Sequence, residues 1–254
     1  MTTMKSLAKL AGSLLAVGIL STALMAQTSA AACYDNQIQT TLAAKLAKKS
    51  QFANVKESVE DGIVTLTGTV DLYQRKLDVA KLARKTADVA GVRNLITVAG
   101  PNVSDAQLAD KLSTKLTYVR EGYDSTFDYF ALGVKDGVVT VEGQDRTGVG
   151  RDEALADIAN MPGVKDVINN VTIAPTSNYD DGLRLRAARV IYGDSALRRY
   201  ATDPARPIRI IVDNGHVTLY GAVSSAMDKQ IAGMRAGQLP GVFSVDNKLQ
   251  VVGS

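Results

Sequence analysis

The sequence predicts an α+β protein of three tandem modules. Each module runs helix, strand, strand, helix, strand (αββαβ) and forms a small mixed three-stranded sheet with both helices on one face. Three observations lead there. An eight-residue pattern occurs three times along the chain. Each occurrence opens on Asp-Gly or Asn-Gly, the pair that best suits a tight hairpin turn. Ahead of each occurrence, apolar residues recur at every fourth position, as on one face of a helix.

The repeated pattern is Asp61-Gly62-Ile63-Val64-Thr65-Leu66-Thr67-Gly68. It returns as Asp136-Gly137-Val138-Val139-Thr140-Val141-Glu142-Gly143 and as Asn214-Gly215-His216-Val217-Thr218-Leu219-Tyr220-Gly221. From each turn glycine the closing strand ends 36 residues on, at Val98, Ile173 and Val251. Pro162-Gly163-Val164 matches Pro240-Gly241-Val242, and Asn94, Asn169 and Asn247 fall in the same register. In that ungapped register the first copy has Asp88-Val89 where the others have Gly-Val. A local shift onto Gly91-Val92 is the alternative.

The elements follow in order. Ile38, Leu42 and Leu46 mark the first helix; Leu108, Leu112 and Leu116 repeat it, and Leu183, Ala187 and Ile191 repeat it more weakly. A short strand follows at Val55 to Val59, Phe130 to Val134 and Ile208 to Val212. The turn comes next, at Gly62, Gly137 and Gly215, where positive φ favours glycine and is best tolerated otherwise by Asp or Asn. The second strand alternates, with Val64 and Leu66 on one face and Thr65 and Thr67 on the other, and Gly68, Gly143 and Gly221 are expected to end it. A second helix spans roughly Gln74–Ala87, Arg151–Asn160 and Ser225–Ala236. The third strand returns parallel to the second through a right-handed crossover. Module bounds of 35–99, 104–174 and 179–252 leave two short joints, stiffened by Pro101 and Pro175. Units of this size bury a modest core, so packing between them is expected to contribute to stability.

Residues 1–31 read as an address. Lys5 and Lys9 precede an apolar run from Leu10 to Ala26, and small residues up to Ala30-Ala31-Ala32 suit a secretory signal peptide. The expected location is the periplasm. Lipidation at Cys33 is a second reading, although Ala30-Ala31-Ala32 lacks the Leu of a lipobox. Apolar residues at 46% and charged residues at 22% fit a globular chain. One Cys and one His, Cys33 and His216, rule out a Cys/His zinc cage and an intramolecular disulfide.

These residues resemble the BON domain, a module of osmotic-stress-induced and other exported bacterial proteins. The resemblance rests on the D/N-G-x-V-T-L/V-x-G turn and strand, the later P-G-V, and the V-x-N of Val92-Arg93-Asn94, Val167-Ile168-Asn169 and Val245-Asp246-Asn247. It covers about residues 36–253. It implies a non-enzymatic protein that binds phospholipid surfaces and takes part in envelope or osmotic-stress protection. The competing class is a chaperone-like or adaptor protein that binds other envelope proteins.

The overall charge of +3 is too small to argue for nucleic acid, but it hides a basic–acidic–basic order. Residues 33–100 hold 10 Lys/Arg and 7 Asp/Glu, residues 101–176 hold 7 and 12, and residues 177–254 hold 10 and 7. Arg198, Arg199, Arg206 and Arg209, with Tyr200 among them, form the expected contact of the third module with an anionic membrane. Lys45, Lys48 and Lys49 end one helix of the first module, and Lys81, Arg84 and Lys85 end the other, where cations also complement helix dipoles. Tyr118, Tyr123, Phe127, Tyr129 and Phe130 crowd one segment of the second module. They either pack the long loop or, if exposed, form an interfacial wedge. His216 takes the slot of Ile63 and Val138 and reads as a strand residue. Asp152-Glu153 and Asp180-Asp181 read as solvated helix starts. No catalytic residue, cofactor or metal is expected.

Overall fold

The structure, a computed structural model, describes residues 34–119, 126–203 and 207–252. The leader, Cys33, Tyr123 and Arg206 lie outside the described residues, as does the side chain of Tyr118. The first module comprises α1 (residues 34–47), β1 (Val55–Glu60), β2 (Ile63–Val70), α2 (Tyr73–Arg84), β3 (Gly91–Asn94) and β4 (Thr97–Val98). The second comprises α3 (Asp105–Val119), β5 (Tyr129–Lys135), β6 (Val138–Asp145), α4 (Val149–Ala159) and β7 (Asp166–Ile173). The third comprises α5 (Asn178–Gly193), a short α6 (Arg199–Thr202), β8 (Arg209–Asp213), β9 (His216–Tyr220), β10 (Ala222–Val223), α7 (Ala226–Gly237), β11 (Ser244–Asn247) and β12 (Gln250–Val251).

The topology is the same three times. The hairpin strands pair antiparallel, and the strand after the second helix pairs parallel with the second hairpin strand, giving the orders β1-β2-β3, β5-β6-β7 and β8-β9-β11. Alternation places Val64 and Leu66, Val139 and Val141, and Val217 and Leu219 under the helices, all buried. Ile38, Leu42 and Leu46 meet the first core, Leu108 and Leu112 the second, and Leu183, Ala187 and Ile191 the third.

The ungapped register holds. Leu66 pairs with Asn94, Val141 with Asn169 and Leu219 with Asn247. Asp88 supplies the left-handed backbone that Gly163 and Gly241 supply elsewhere, at φ 63° against 102° and 94°. Two expectations are corrected. Gly68 and Gly143 lie inside β2 and β6 and do not end them. A Cβ on Gly143 would stand 2.0 Å from the Tyr129 carbonyl oxygen, so the close approach of β5 demands glycine there. The third strand also starts earlier than its closing residues suggested, and only in the second module is it continuous. In the first and third modules the break follows Asn94 or Asn247. Each turns its Nδ2 to a helix carbonyl, that of Lys76 at 3.0 Å or Lys229 at 2.7 Å.

The turns carry a feature that the repeat did not show. Both central residues have positive φ: 52° and 75° at Asp61-Gly62, 55° and 80° at Asp136-Gly137, 49° and 78° at Asn214-Gly215. That is a type I′ turn, whose amides point outward. One carboxylate at the start of each module's first helix accepts both amides. Asp35 does so at 2.9 and 2.8 Å, Asp105 at 2.7 and 2.9 Å, and Asp180 at 3.0 and 2.9 Å. Asp180 is buried, which corrects its reading as a solvated acid.

The chain forms two compact units. One contains the first module up to Thr97 without Asp71–Gln74; the other holds those residues, Val98, and the second and third modules. Within the second unit, Phe127 is buried in the core of the third module, beside Leu183, Ile191, Leu197 and Ile208. Tyr129 stacks on Tyr220 with ring centroids 3.8 Å apart and planes 8° from parallel. Phe130 packs against the second core. These three aromatic residues therefore join and fill modules rather than form a wedge.

Candidate anion-facing surface

The third module's basic segment follows α5. Ser177 caps α5, its Oγ accepting the Asp180 amide at 3.2 Å, and the helix ends at Asp194. Leu197 and Tyr200 stand three apart and both turn into the core, at 0% and 2% exposure. Tyr200 therefore does not reach a headgroup boundary. Its hydroxyl donates to Asp228 Oδ2 at 2.7 Å and accepts the Ser224 amide at 2.8 Å. Arg199 is exposed but paired, its Nη2 meeting both Asp228 and the Tyr200 hydroxyl. Burial pushes the Asp228 carboxyl up, but hydrogen bonds from Tyr200 and Ser225 and the Arg199 guanidinium outweigh it and hold the group below the ordinary carboxylate range. Arg198 is exposed, and Arg209 is half-buried with its own interactions. Burial drives the Tyr192 hydroxyl up to about 12; that hydroxyl donates to the Ile208 carbonyl at 2.5 Å.

The expected cluster is thus split. Arg198 faces solvent, Arg199 is tied to an internal carboxylate, and Tyr200 is core. The arginines that share a surface concavity are others, which the sequence reading did not select. Arg189 and Arg235 line a groove of about 480 Å³ between the ends of α5 and α7, with Val190, Asp194 and Leu239. Arg235 pairs there with Asp194 at 2.8 Å. Their common position at two helix ends was the available signal, but it needs the helix pairing to be read. Arg184 is fully engaged inside, donating to Asp181 and to the Val212 carbonyl, each at 2.6 Å.

His216 sits exposed on the open sheet face, its Nδ1 2.7 Å from Ser244 Oγ. Among the described residues, no cluster of His, Cys, Asp and Glu could hold a metal ion, and no helix is long and apolar enough to cross a membrane.

The family model described as "BON domain" matches residues 34–100, 130–175 and 194–253. The chain belongs to the BON-domain family. In the second and third modules the match starts beyond the first helix, and the structure supplies it as α3 and α5. BON domains are associated with membrane and phospholipid binding and are generally non-enzymatic. A search of curated proteins gave no match. Among solved structures, the chain is similar to the C-terminal domain of CdsD, a structural protein of the type III secretion system of Chlamydia trachomatis. That pair is 14% identical with a TM-score of 0.24, covering 79% of this chain and 91% of the other. The PrgH periplasmic domain is 9% identical with a TM-score of 0.19, over 78% and 95%. Superpositions this loose carry no argument about role.

Proposed function

We propose that this BON protein is a non-enzymatic periplasmic protein that lies against anionic phospholipid surfaces and serves envelope or osmotic-stress protection. One observation carries the reading: both basic modules expose cations that no carboxylate neutralises. Lys48, Lys49, Lys81, Arg84 and Lys85 in the first module, and Arg189 and Arg198 in the third, have no such partner among the described residues. Each cation near an anionic leaflet contributes about 1 kcal/mol of attraction. The periplasmic location rests on the leader-like segment at 1–31.

The test is co-sedimentation of the full chain with phosphatidylglycerol vesicles across a salt series. Binding should be clear at ~0.1 M salt and largely gone at ~1 M, because the Debye length falls from about 10 to 3 Å. Vesicles that fail to bring the protein down at low salt sink the proposal. The adaptor reading then leads, supported by Phe243 and Met227 of the third module, exposed at 71% and 62%. Its own measurement is suppression of client aggregation.

A further inference from the structure

The two helices of every module end side by side, and one contact joins each pair of ends. Lys115 of α3 meets Asp157 of α4 at 3.5 Å, and Arg235 of α7 meets Asp194 after α5 at 2.8 Å. In the first module the contact differs in kind. Lys45 Nζ of α1 donates to Thr86 Oγ1 beyond α2 at 3.0 Å, so the acceptor is a neutral hydroxyl and the charge of Lys45 survives. That hydroxyl in turn donates to the Leu82 carbonyl at 3.1 Å, which fixes it.

Five more cations stand on the same two ends. Lys48 and Lys49 follow α1; Lys81 and Arg84 lie in the last turn of α2, and Lys85 follows it. All five are exposed, and none pairs with a carboxylate among the described residues. The Lys49 ammonium stands over the buried Phe52 ring, 5.5 Å from its centroid, a cation–π contact that leaves its charge unneutralised. Two helix C-termini present about half a negative charge each, so their dipoles account for roughly one cation, not six.

We propose that this basic cap of the first module is the chain's principal contact with an anionic phospholipid bilayer. The inference rests on the membrane reading above and assigns it a surface. The chemistry favours a bilayer over a single bound phosphate. The cations are spread over two helix ends, and five of the six are flexible lysines, which suit a diffuse, laterally mobile layer of charge better than a fixed fork-shaped acceptor. In the third module, by contrast, Asp194 and Asp228 already occupy Arg235 and Arg199.

The experiment compares full-length variants on vesicles of phosphatidylglycerol with phosphatidylcholine, and on phosphatidylcholine alone, at ~0.1 M salt. K48Q/K49Q/K81Q/R84Q/K85Q should lose at least about tenfold in partitioning, since each cation at a charged leaflet contributes up to roughly fivefold. The Lys→Arg version of the same sites should keep wild-type binding. R198S/R199S/R206S/R209S should lose about threefold or less. Lys48 and Lys49 lie beyond the end of α1, so K48E/K49E leaves both helices intact and should still lose about tenfold. If K48E/K49E and the five-Gln variant bind as wild type while the four-Ser variant does not, the cap is wrong and the membrane reading stands. If wild type binds no anionic vesicle, both fall. Cap-dependent binding of duplex DNA without vesicle binding would also overturn the proposal.

Discussion

Residues 33–100 carry 10 Lys/Arg against 7 Asp/Glu, and residues 177–254 carry the same numbers, yet the two modules place that charge differently. Seven of the first ten cations are lysines, and eight of the second ten are arginines. The third module ties three of its guanidinium groups to acceptors of its own. Arg184 is buried against a backbone carbonyl, while Arg199 and Arg235 each hold a carboxylate. The first module leaves Lys48, Lys81 and Lys85 exposed, with no carboxylate partner among the described residues. A planar fork with five donors satisfies several acceptors at once and is more weakly hydrated; an ammonium is compact and strongly hydrated. Net charge therefore does not measure surface charge, and the Lys/Arg split is the better guide. The modules also differ in how the core closes. The first closes with its own Phe52, and the third takes Phe127 from the second module.

The largest effect should come from that shared residue. Phe127→Ala should cost about 3–5 kcal/mol, the range for emptying a buried aromatic site. The loss should appear in the third module, although the residue precedes β5 of the second. Hydrogen exchange of the β8 and β9 amides reads it. Faster exchange confined to β5 and β6 would break the comparison. Next, Arg184→Met keeps an apolar arm but takes the donor from the Val212 carbonyl and leaves the partly exposed Asp181 to Arg146, 3.9 Å away. A cost of about 1–3 kcal/mol is expected from the buried carbonyl, against less than about 0.5 kcal/mol for Lys48→Met. Equal shifts in thermal unfolding would show that the two modules do not differ in this way.

Most of the fold was legible because its signals are periodic. Alternation in Val64-Thr65-Leu66 and the fourfold spacing of Leu108, Leu112 and Leu116 require no knowledge of the neighbours. The Asp-Gly and Asn-Gly turns were legible because few residues tolerate positive φ. The aspartate clamps were not, since they sit 27, 32 and 35 positions before their turn glycines and so fall out of any fixed repeat. The destination of Phe127 was hidden for another reason: an apolar residue announces burial but not which core receives it. At the candidate surface, the segment Arg198-Arg199-Tyr200 looked like a basic loop. The overlooked sign was Leu197, three residues before Tyr200, which makes one turn with an inward face.

A smaller effect concerns acid. The Asp228 carboxyl lies below its ordinary value in the folded protein, so it binds protons less readily there than in the unfolded chain. Its contribution is complete above the unfolded value, near pH 4, and is lost as the pH falls through the lower folded value. The second unit should therefore lose stability on that acid limb. Asp228→Asn should cost about 1–2 kcal/mol at neutral pH, by weakening the acceptor for Tyr200 and Arg199, and should flatten the limb. Thermal melts from pH 7 to 2 would show it; an unchanged limb would mean that Asp228 does not set the acid response.

The smallest effect separates the two modules by sign. Lys81 and Lys85 stand four apart at the end of α2, where the Lys85 amide still donates to the Lys81 carbonyl at 3.1 Å. Like charges at that spacing on a helix oppose each other by about 0.2–0.5 kcal/mol per pair, less where the end frays. Added salt screens that repulsion, and it also screens the helix-end attraction that partly offsets it. With six cations against roughly one unit of opposing dipole charge, repulsion dominates. The first unit should gain up to about 0.5 kcal/mol between ~0.02 and ~0.5 M sodium chloride. The five-Gln variant should start at that higher stability and show no salt response. In the third module, salt weakens Arg235–Asp194 and Arg199–Asp228, so its stability should fall slightly over the same range. Hydrogen exchange of α1 and α7 amides in one sample compares the two directly. If both respond to salt in the same direction, the cap's cations are neutralised by groups other than water, and the contrast between the modules fails.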